Sequence, residues 1–294
     1  MNRVTLFLMT KKGLDCFRKI IDNFGPEIID FVVVGKDNGA KNDYHKELKR
    51  LAEIHKIGCF DRNKVPPIRT KYAIAISWKW IIPKVEDVQL IVLHDSLLPK
   101  YRGFAPLVSQ LLNREPVIGV TAFISSSEYD KGNIIEQAET TITYPIKIEE
   151  AINKISEQYQ ILVCRVVDHI ICNKPIPNHQ QDERLATYSL WRDNEDYKIN
   201  WKKSSSYIKT FIDSVGTPYL GASTTLNGRL VRILDAVETK DVEIINRDEG
   251  KVIFINDGFP VVVCGVGLLK ITYAVYDSDG TSVLPLKKFR SRFK

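Results

Sequence analysis

His94 opens the run His94-Asp95-Ser96-Leu97-Leu98-Pro99-Lys100-Tyr101-Arg102-Gly103, and Asp130 follows downstream in Tyr129-Asp130-Lys131-Gly132. A histidine gains and loses its proton near neutral pH, and a carboxylate in reach can orient its ring or exchange protons with it. The pair is therefore a pattern for general acid–base chemistry. His94 alone reads equally well as a surface histidine before a proline turn. With Gly119-Val120-Thr121 and Asp130 following in order, the run is far more specific. His169 falls in a long helical pattern, and His45, His55 and His179 lie in polar surroundings that imply no chemistry. The five cysteines, Cys16, Cys59, Cys164, Cys172 and Cys264, are scattered, odd in number and without a C-x-x-C pair. That argues against a zinc site or a disulfide framework, and no metal is expected.

Something must hold His94 in place. The apolar stretch Leu90-Ile91-Val92-Leu93 reads as a buried strand that delivers it to a strand end, where an open α/β sheet presents its chemistry. Further apolar strands are expected at Val4–Met9, Ile28–Gly35, Tyr72–Ser77 and Gly119–Ile124. Leu14, Phe17, Ile20 and Ile21 recur at helical spacing after a turn at Lys11-Lys12-Gly13. Asn42–Lys56, Ala105–Leu112 and Ile148–Ile171 read as helices, the first with Asn42 or Asp43 as its cap. Continuous apolar strands alternating with helices predict an open, mostly parallel Rossmann-like α/β sheet with helices on both faces. The pattern changes after Cys172. Asn173–Gln181 is polar and proline-punctuated, and short β segments follow at 231–234, 251–255, 260–264 and 268–273. Asn227-Gly228, Asp257-Gly258 and Asp279-Gly280 mark turns. We therefore expect a catalytic domain over 1–175, a linker over 176–190 and a small C-terminal β-barrel, OB-like, over 191–294.

The composition excludes several classes. The 294 residues are 44% hydrophobic and 27% charged, ordinary for a globular protein. No apolar stretch reaches the roughly 18 residues of a spanning helix, and no membrane partner is expected. The N-terminal apolar run is interrupted by Lys11-Lys12 too early for a secretory signal, which predicts a cytoplasmic protein. The net charge of +6 suits an anionic ligand such as a nucleotide diphosphate without indicating nucleic acid.

The stretch from Ser77 to Gln137 resembles the folate-dependent formyltransferase family, which includes glycinamide-ribonucleotide, methionyl-tRNA and sugar-nucleotide N-formyltransferases. The matching residues are Ser96-Leu97-Leu98-Pro99, Arg102-Gly103, Pro106, Gly119-Val120-Thr121, Asp130, Gly132 and Ile135. More weakly, 196–201, 218–222 and 264–269 look like the barrel of the family's longer members. The resemblance implies that N10-formyltetrahydrofolate supplies a formyl group to an amine. It assigns polarisation and proton transfer to His94, and orientation of the histidine and water-mediated proton handling to Asp130. It assigns the folate site to the backbones of Lys79 and Ile81 and to Ser96, Leu97, Leu98, Pro99, Arg102 and Gly103. One departure stands out. The family pattern is Asn-x-His, and here Val92 stands two before His94, on the same strand face. A lost oxyanion donor costs on the order of 2.7–4 kcal/mol. Asn133 is a nearby replacement in sequence. Asp95 stands where proline or glycine is usual.

The acceptor is read by elimination. The barrel argues against glycinamide ribonucleotide. Gly35–Asn42 is short and mixed in charge, unlike the basic insertion of the tRNA enzymes, and the basic C-terminus 287–294 reads better as a final strand than as a nucleic-acid contact. A nucleotide-linked dideoxyamino sugar, as used in O-antigen or other surface-glycan assembly, remains. Thr10, Lys11 and Lys12 are expected to meet its diphosphate, and Tyr101 and Trp191 to stack on its rings. A solvated turn and ordinary packing are the competing readings of those five residues. Methionyl-tRNA formyltransferase and a catalytically impaired folate- or nucleotide-binding homologue are the alternatives. A homodimer is left open.

Overall fold

The computed structural model describes residues 2–37 and 42–294. Of the stretch Gly35–Asn42 used above, residues 38–41 lie outside it. The described residues form two compact units. One holds the chain to Gln110, Glu115–Ile142 and Ala151–Trp191. The other holds Leu111–Arg114, Thr143–Glu150 and Arg192–Lys294.

The first unit alternates β1 (Val4–Leu8), α1 (Thr10–Phe24), β2 (Ile29–Val34), α2 (His45–Ile54), β3 (Gly58–Asp61), β4 (Tyr72–Ile76) and β5 (Gln89–His94). Then come β6 (Arg102–Gly103), α3 (Pro106–Leu112), β7 (Val117–Ile124), β8 (Ile134–Thr141), α4 (Ile148–Ile171) and β9 (Tyr188–Ser189). Seven strands pair in the order β3-β2-β1-β4-β5-β7-β8. The first five run parallel; β7 and β8 join antiparallel. The crossover helices of the parallel half cover the sheet, so β1, β2 and β4 are buried almost throughout, as their unbroken apolar runs require. Phe17, Ile20, Leu162 and Val163 are fully buried, each worth about 1.5–3 kcal/mol of transfer energy.

Two sequence expectations shift. The turn at Lys11-Lys12-Gly13 is instead the first turn of α1, which starts at Thr10. The helix expected at Asn42–Lys56 spans His45–Ile54, with Tyr44 left-handed before it. The Asp43 carboxylate still accepts the His45 N–H at 3.1 Å.

In the second unit, α5 (Ser205–Ser214), which the sequence reading did not mark, precedes β10 (Ala222–Leu226), β11 (Arg229–Thr239), β12 (Val252–Asn256), β13 (Phe259–Val263) and β14 (Leu268–Tyr276). The Ser204 side chain caps α5 by accepting the Tyr207 N–H. The antiparallel sheet runs β10-β11-β14-β13-β12. Its two edges are joined by the chain's last residues: Phe293 bridges to Leu226 of β10, and Arg292 bridges to Lys251 beside β12. The end of the basic C-terminal run thus closes the sheet through two isolated bridges rather than a strand, with Phe293 buried against Trp201 and Lys294 exposed.

Candidate active site

β5 ends at His94, next to the ends of β1 and β4 in the parallel half. His94 pairs with Thr121 of β7, and Val92 with Phe123, so one sheet face carries both Val92 and His94. The His94 ring is buried and its Nε2 lies 2.9 Å from the Tyr101 carbonyl oxygen. A carbonyl only accepts, so Nε2 carries the proton in this bond and Nδ1 of the neutral ring keeps its lone pair. That Nδ1 faces Asp130 Oδ2 at 3.7 Å, too long for a hydrogen bond.

Asp130 is fixed separately. Its Oδ2 accepts the Gly103 N–H at 2.7 Å, and its carbonyl accepts from Gln181 Nε2 at 2.8 Å. Asp130 is left-handed, with φ 54. Gly132, two residues on, must be glycine, because a Cβ would lie 1.6 Å from the Ile124 carbonyl oxygen. Gly103 is equally constrained: its φ is 98, and a Cβ would meet the Ser189 carbonyl at 2.5 Å.

The loop after His94 has satisfied its own polar groups. The Ser96 hydroxyl, fully buried, donates to the Lys100 carbonyl at 2.7 Å. The Thr121 hydroxyl donates to the Ser96 carbonyl at 2.6 Å and accepts the Leu98 N–H at 3.0 Å. Gln137 Nε2 donates to the Leu98 carbonyl and to Thr121. The Leu98–Pro99 peptide is cis. Arg102 is fully buried, its guanidinium donating to Gln181 Oε1 and to both Glu183 carboxylate oxygens. The Glu183 hydrogen bonds push the Arg102 pKa above its ordinary value. Ser96 and Arg102 therefore shape the loop from inside. Leu97 and Pro99 are half-buried.

After β4, Ser77 is left-handed and accepts the Thr10 hydroxyl at 2.9 Å. Trp78 packs edge-on to Phe7 and Trp80, in the cluster that also takes Val92. Its buried Nε1–H has no hydrogen-bond partner among the described residues. The Lys79 and Ile81 backbones form no backbone hydrogen bond among the described residues. Lys79 Nζ meets Asp37 at 2.6 Å.

The residues expected at a diphosphate are divided. Lys11 pairs with Asp15 at 2.6 Å on the surface. Lys12 turns inward, buried, and pairs with Asp95. Tyr101 donates its hydroxyl to Glu115 at 2.6 Å, whereas Trp191 is 62% exposed. Asn133 is half-buried, its carbonyl accepting the Ile124 N–H. Gln137, Tyr159, Gln181 and Glu183 were not marked as site residues in the sequence. Gln181 ends, and Glu183 just follows, a polar, proline-punctuated stretch whose spacing gives no hint of a return to β6. Among the described residues no group of three or more His, Cys, Asp or Glu gathers as a metal site.

A histidine and a carboxylate on converging loops at the strand ends of an open sheet define a site for proton handling during group transfer. The comparisons give the reaction. The formyl transferase model matches residues 63–167, and the formyl transferase C-terminal domain model matches 192–280. The methionyl-tRNA formyltransferase of Thermodesulfovibrio yellowstonii is 30% identical over 233 residues, covering 78% of this chain and 72% of its own. Among solved structures, WlaRD, a sugar 3N-formyl transferase with dTDP and 5-N-formyl-THF, superposes with TM-score 0.67 at 19% identity, over 92% of this chain and 97% of its own. The Helicobacter canadensis N-formyltransferase, complexed with folinic acid and dTDP-3-aminofucose, also gives 0.67, at 21% identity over 92% and 98%. The chain belongs to the folate-dependent formyltransferase family and is a formyl-transferring enzyme.

Proposed function

We propose that this enzyme moves the formyl group of N10-formyltetrahydrofolate to the amine of a nucleotide-linked dideoxyamino sugar, as a cytoplasmic step of surface-glycan assembly. The observation that carries this reading is the likeness, over nearly their whole length, to two sugar N-formyltransferases. The residues present fit a folate. Trp78 offers an unpaired buried N–H, and Lys79 and Ile81 offer free backbone groups to the edge of a flat heterocycle. Leu97 and Pro99 would wall it. When bound, the folate supplies the formyl carbon.

The chain's own groups then handle the proton. Tyr101 holds the His94 ring through Nε2–H, leaving Nδ1 to take a proton from the attacking amine. The resulting imidazolium faces the Asp130 carboxylate, which Gly103 and Gln181 keep in place. Incubation with N10-formyltetrahydrofolate and a panel of amino-sugar nucleotides tests the reading by mass spectrometry. A gain of one formyl group on a sugar nucleotide supports it. Formylation of methionyl-tRNA alone would give the acceptor suggested by the sequence relatives. Folate binding without transfer would mark an impaired homologue.

A further inference from the structure

Asp95 directly follows His94, and its half-buried side chain keeps 17% of its surface exposed. One oxygen takes the Lys12 ammonium from α1, and the other takes the Tyr159 hydroxyl from α4. Tyr159 is fully buried, and its hydroxyl also lies 3.1 Å from the Leu93 carbonyl oxygen. From α3, Gln110 Nε2 donates to the Asp95 carbonyl at 2.6 Å. Thus side chains from three helices grip the residues on either side of His94, while Tyr101 grips its ring.

Stability alone does not account for a charge at this place. Burying an ion pair costs several kcal/mol per ion in desolvation, and an apolar replacement is often neutral or better. Its geometric content is different. A carboxylate with each oxygen committed to a separate helix has one allowed orientation, which fixes the peptide on which His94 is carried. We infer that Asp95, Lys12 and Tyr159 form a positioning unit that holds His94 in its transfer-competent orientation. Lys12 then belongs to this unit rather than to a diphosphate. The inference rests on His94 acting in formyl transfer, and not on which amine receives the group.

The test uses Tyr159→Phe and Asp95→Asn in the full-length protein. Nitrogen-15 NMR follows the His94 Nε2–H that Tyr101 binds, identified by its loss in His94→Asn. Transfer is followed at saturating donor and acceptor. Both variants should keep the wild-type circular dichroism and bind folate within about twofold, but broaden the His94 signal and lower kcat by about 10-fold or more, with KM little changed. Added to His94→Asn, either substitution should change the residual rate less than about twofold, because its effect runs through the missing imidazole. A sharp, unshifted His94 signal in folded Tyr159→Phe overturns the inference, as do penalties that multiply in the His94→Asn background. If Asp95→Asn does not fold, Tyr159→Phe decides alone. A wild type that formylates none of the amines defeats the acceptor reading, and the NMR comparison still decides the positioning.

Discussion

The His94 imidazole is oriented by the carbonyl of Tyr101, 2.9 Å from Nε2, and faces Asp130 at 3.7 Å without bonding to it. The carboxylate is therefore placed for the charge that appears on the ring during transfer, and a main-chain atom does the orienting. His94→Asn should lower turnover by on the order of 10²-fold or more while leaving folate affinity unchanged. Steady-state rates with a folate titration check this, and near-wild-type turnover would remove His94 from the mechanism.

Asp130→Asn keeps an oxygen for the Gly103 N–H but removes the charge facing His94. The variant should fold and lose roughly 10²-fold in kcat, read beside its melting temperature. Simple melting without a rate effect at lower temperature would make Asp130 a structural residue.

Val92 lies half-buried in the cluster of Phe7, Ala75 and Trp78. An asparagine there restores a donor at the cost of an amide in apolar surroundings. Val92→Asn should destabilise the first unit by about 1–3 kcal/mol. At a temperature where both proteins are folded, it should raise the single-turnover rate, by an amount bounded by the roughly 2.7–4 kcal/mol such a donor supplies. An unchanged or lower rate would mean another group already fills the place.

Asp95 also gives the fold an acid limb. Burial pushes its carboxyl up, but the Lys12 charge and the Lys12 and Tyr159 hydrogen bonds outweigh burial and hold it below the ordinary 3.8. Its folded pKa is thus depressed, so its contribution is present above the unfolded value and lost as pH falls through the folded one. Asp95→Asn should therefore show its largest stability deficit near neutral pH and a shrinking deficit below the ordinary carboxylate value. Urea midpoints measured down the acid range check this; a constant deficit would contradict it.

Buried thiols should be inert. Burial pushes Cys59 up to about 11 and Cys264 up to about 12, and raises Cys16 well above its ordinary value. Cys172 is exposed. Iodoacetamide at mildly alkaline pH should label Cys172 first and reach Cys16 and Cys264 only in denaturant, as peptide mapping would show.

The inner strands of the parallel half were legible because they read as apolar runs, and the exposed edge strand β3 was not: β4 and β5 fall within a residue or two of the expected spans, and α4 matches Ile148–Ile171. β8 was missed because Ile134–Thr141 is an edge strand with polar residues on its open face. α5 was missed although Ile208, Phe211, Ile212 and Val215 recur at helical spacing and are buried, because its serine-rich start, Ser204-Ser205-Ser206, reads as a loop. His94 and Asp130 stood out by residue type and order. The partners of Arg102 did not, since an ion pair between distant loops leaves no periodic trace. Lys12 was read outward because its charge suits phosphate, and nothing local reveals Asp95 eighty-three positions later.

The catalytic loop is tied down by residues far along the chain: Gln181 and Glu183 hold Arg102 across separations of 79 and 81, and Thr187 accepts the Tyr101 N–H across 86. Such ties form only after a long stretch of backbone has given up its freedom, which makes them late events in folding. During refolding, transfer activity should therefore return after helical signal and overall compaction, reporting the moment when residues 181–189 dock. A protease cut exposed in that returning segment would unseat Tyr101 and Arg102 while leaving the parallel strands paired, so the enzyme would lose its chemistry before it loses its core.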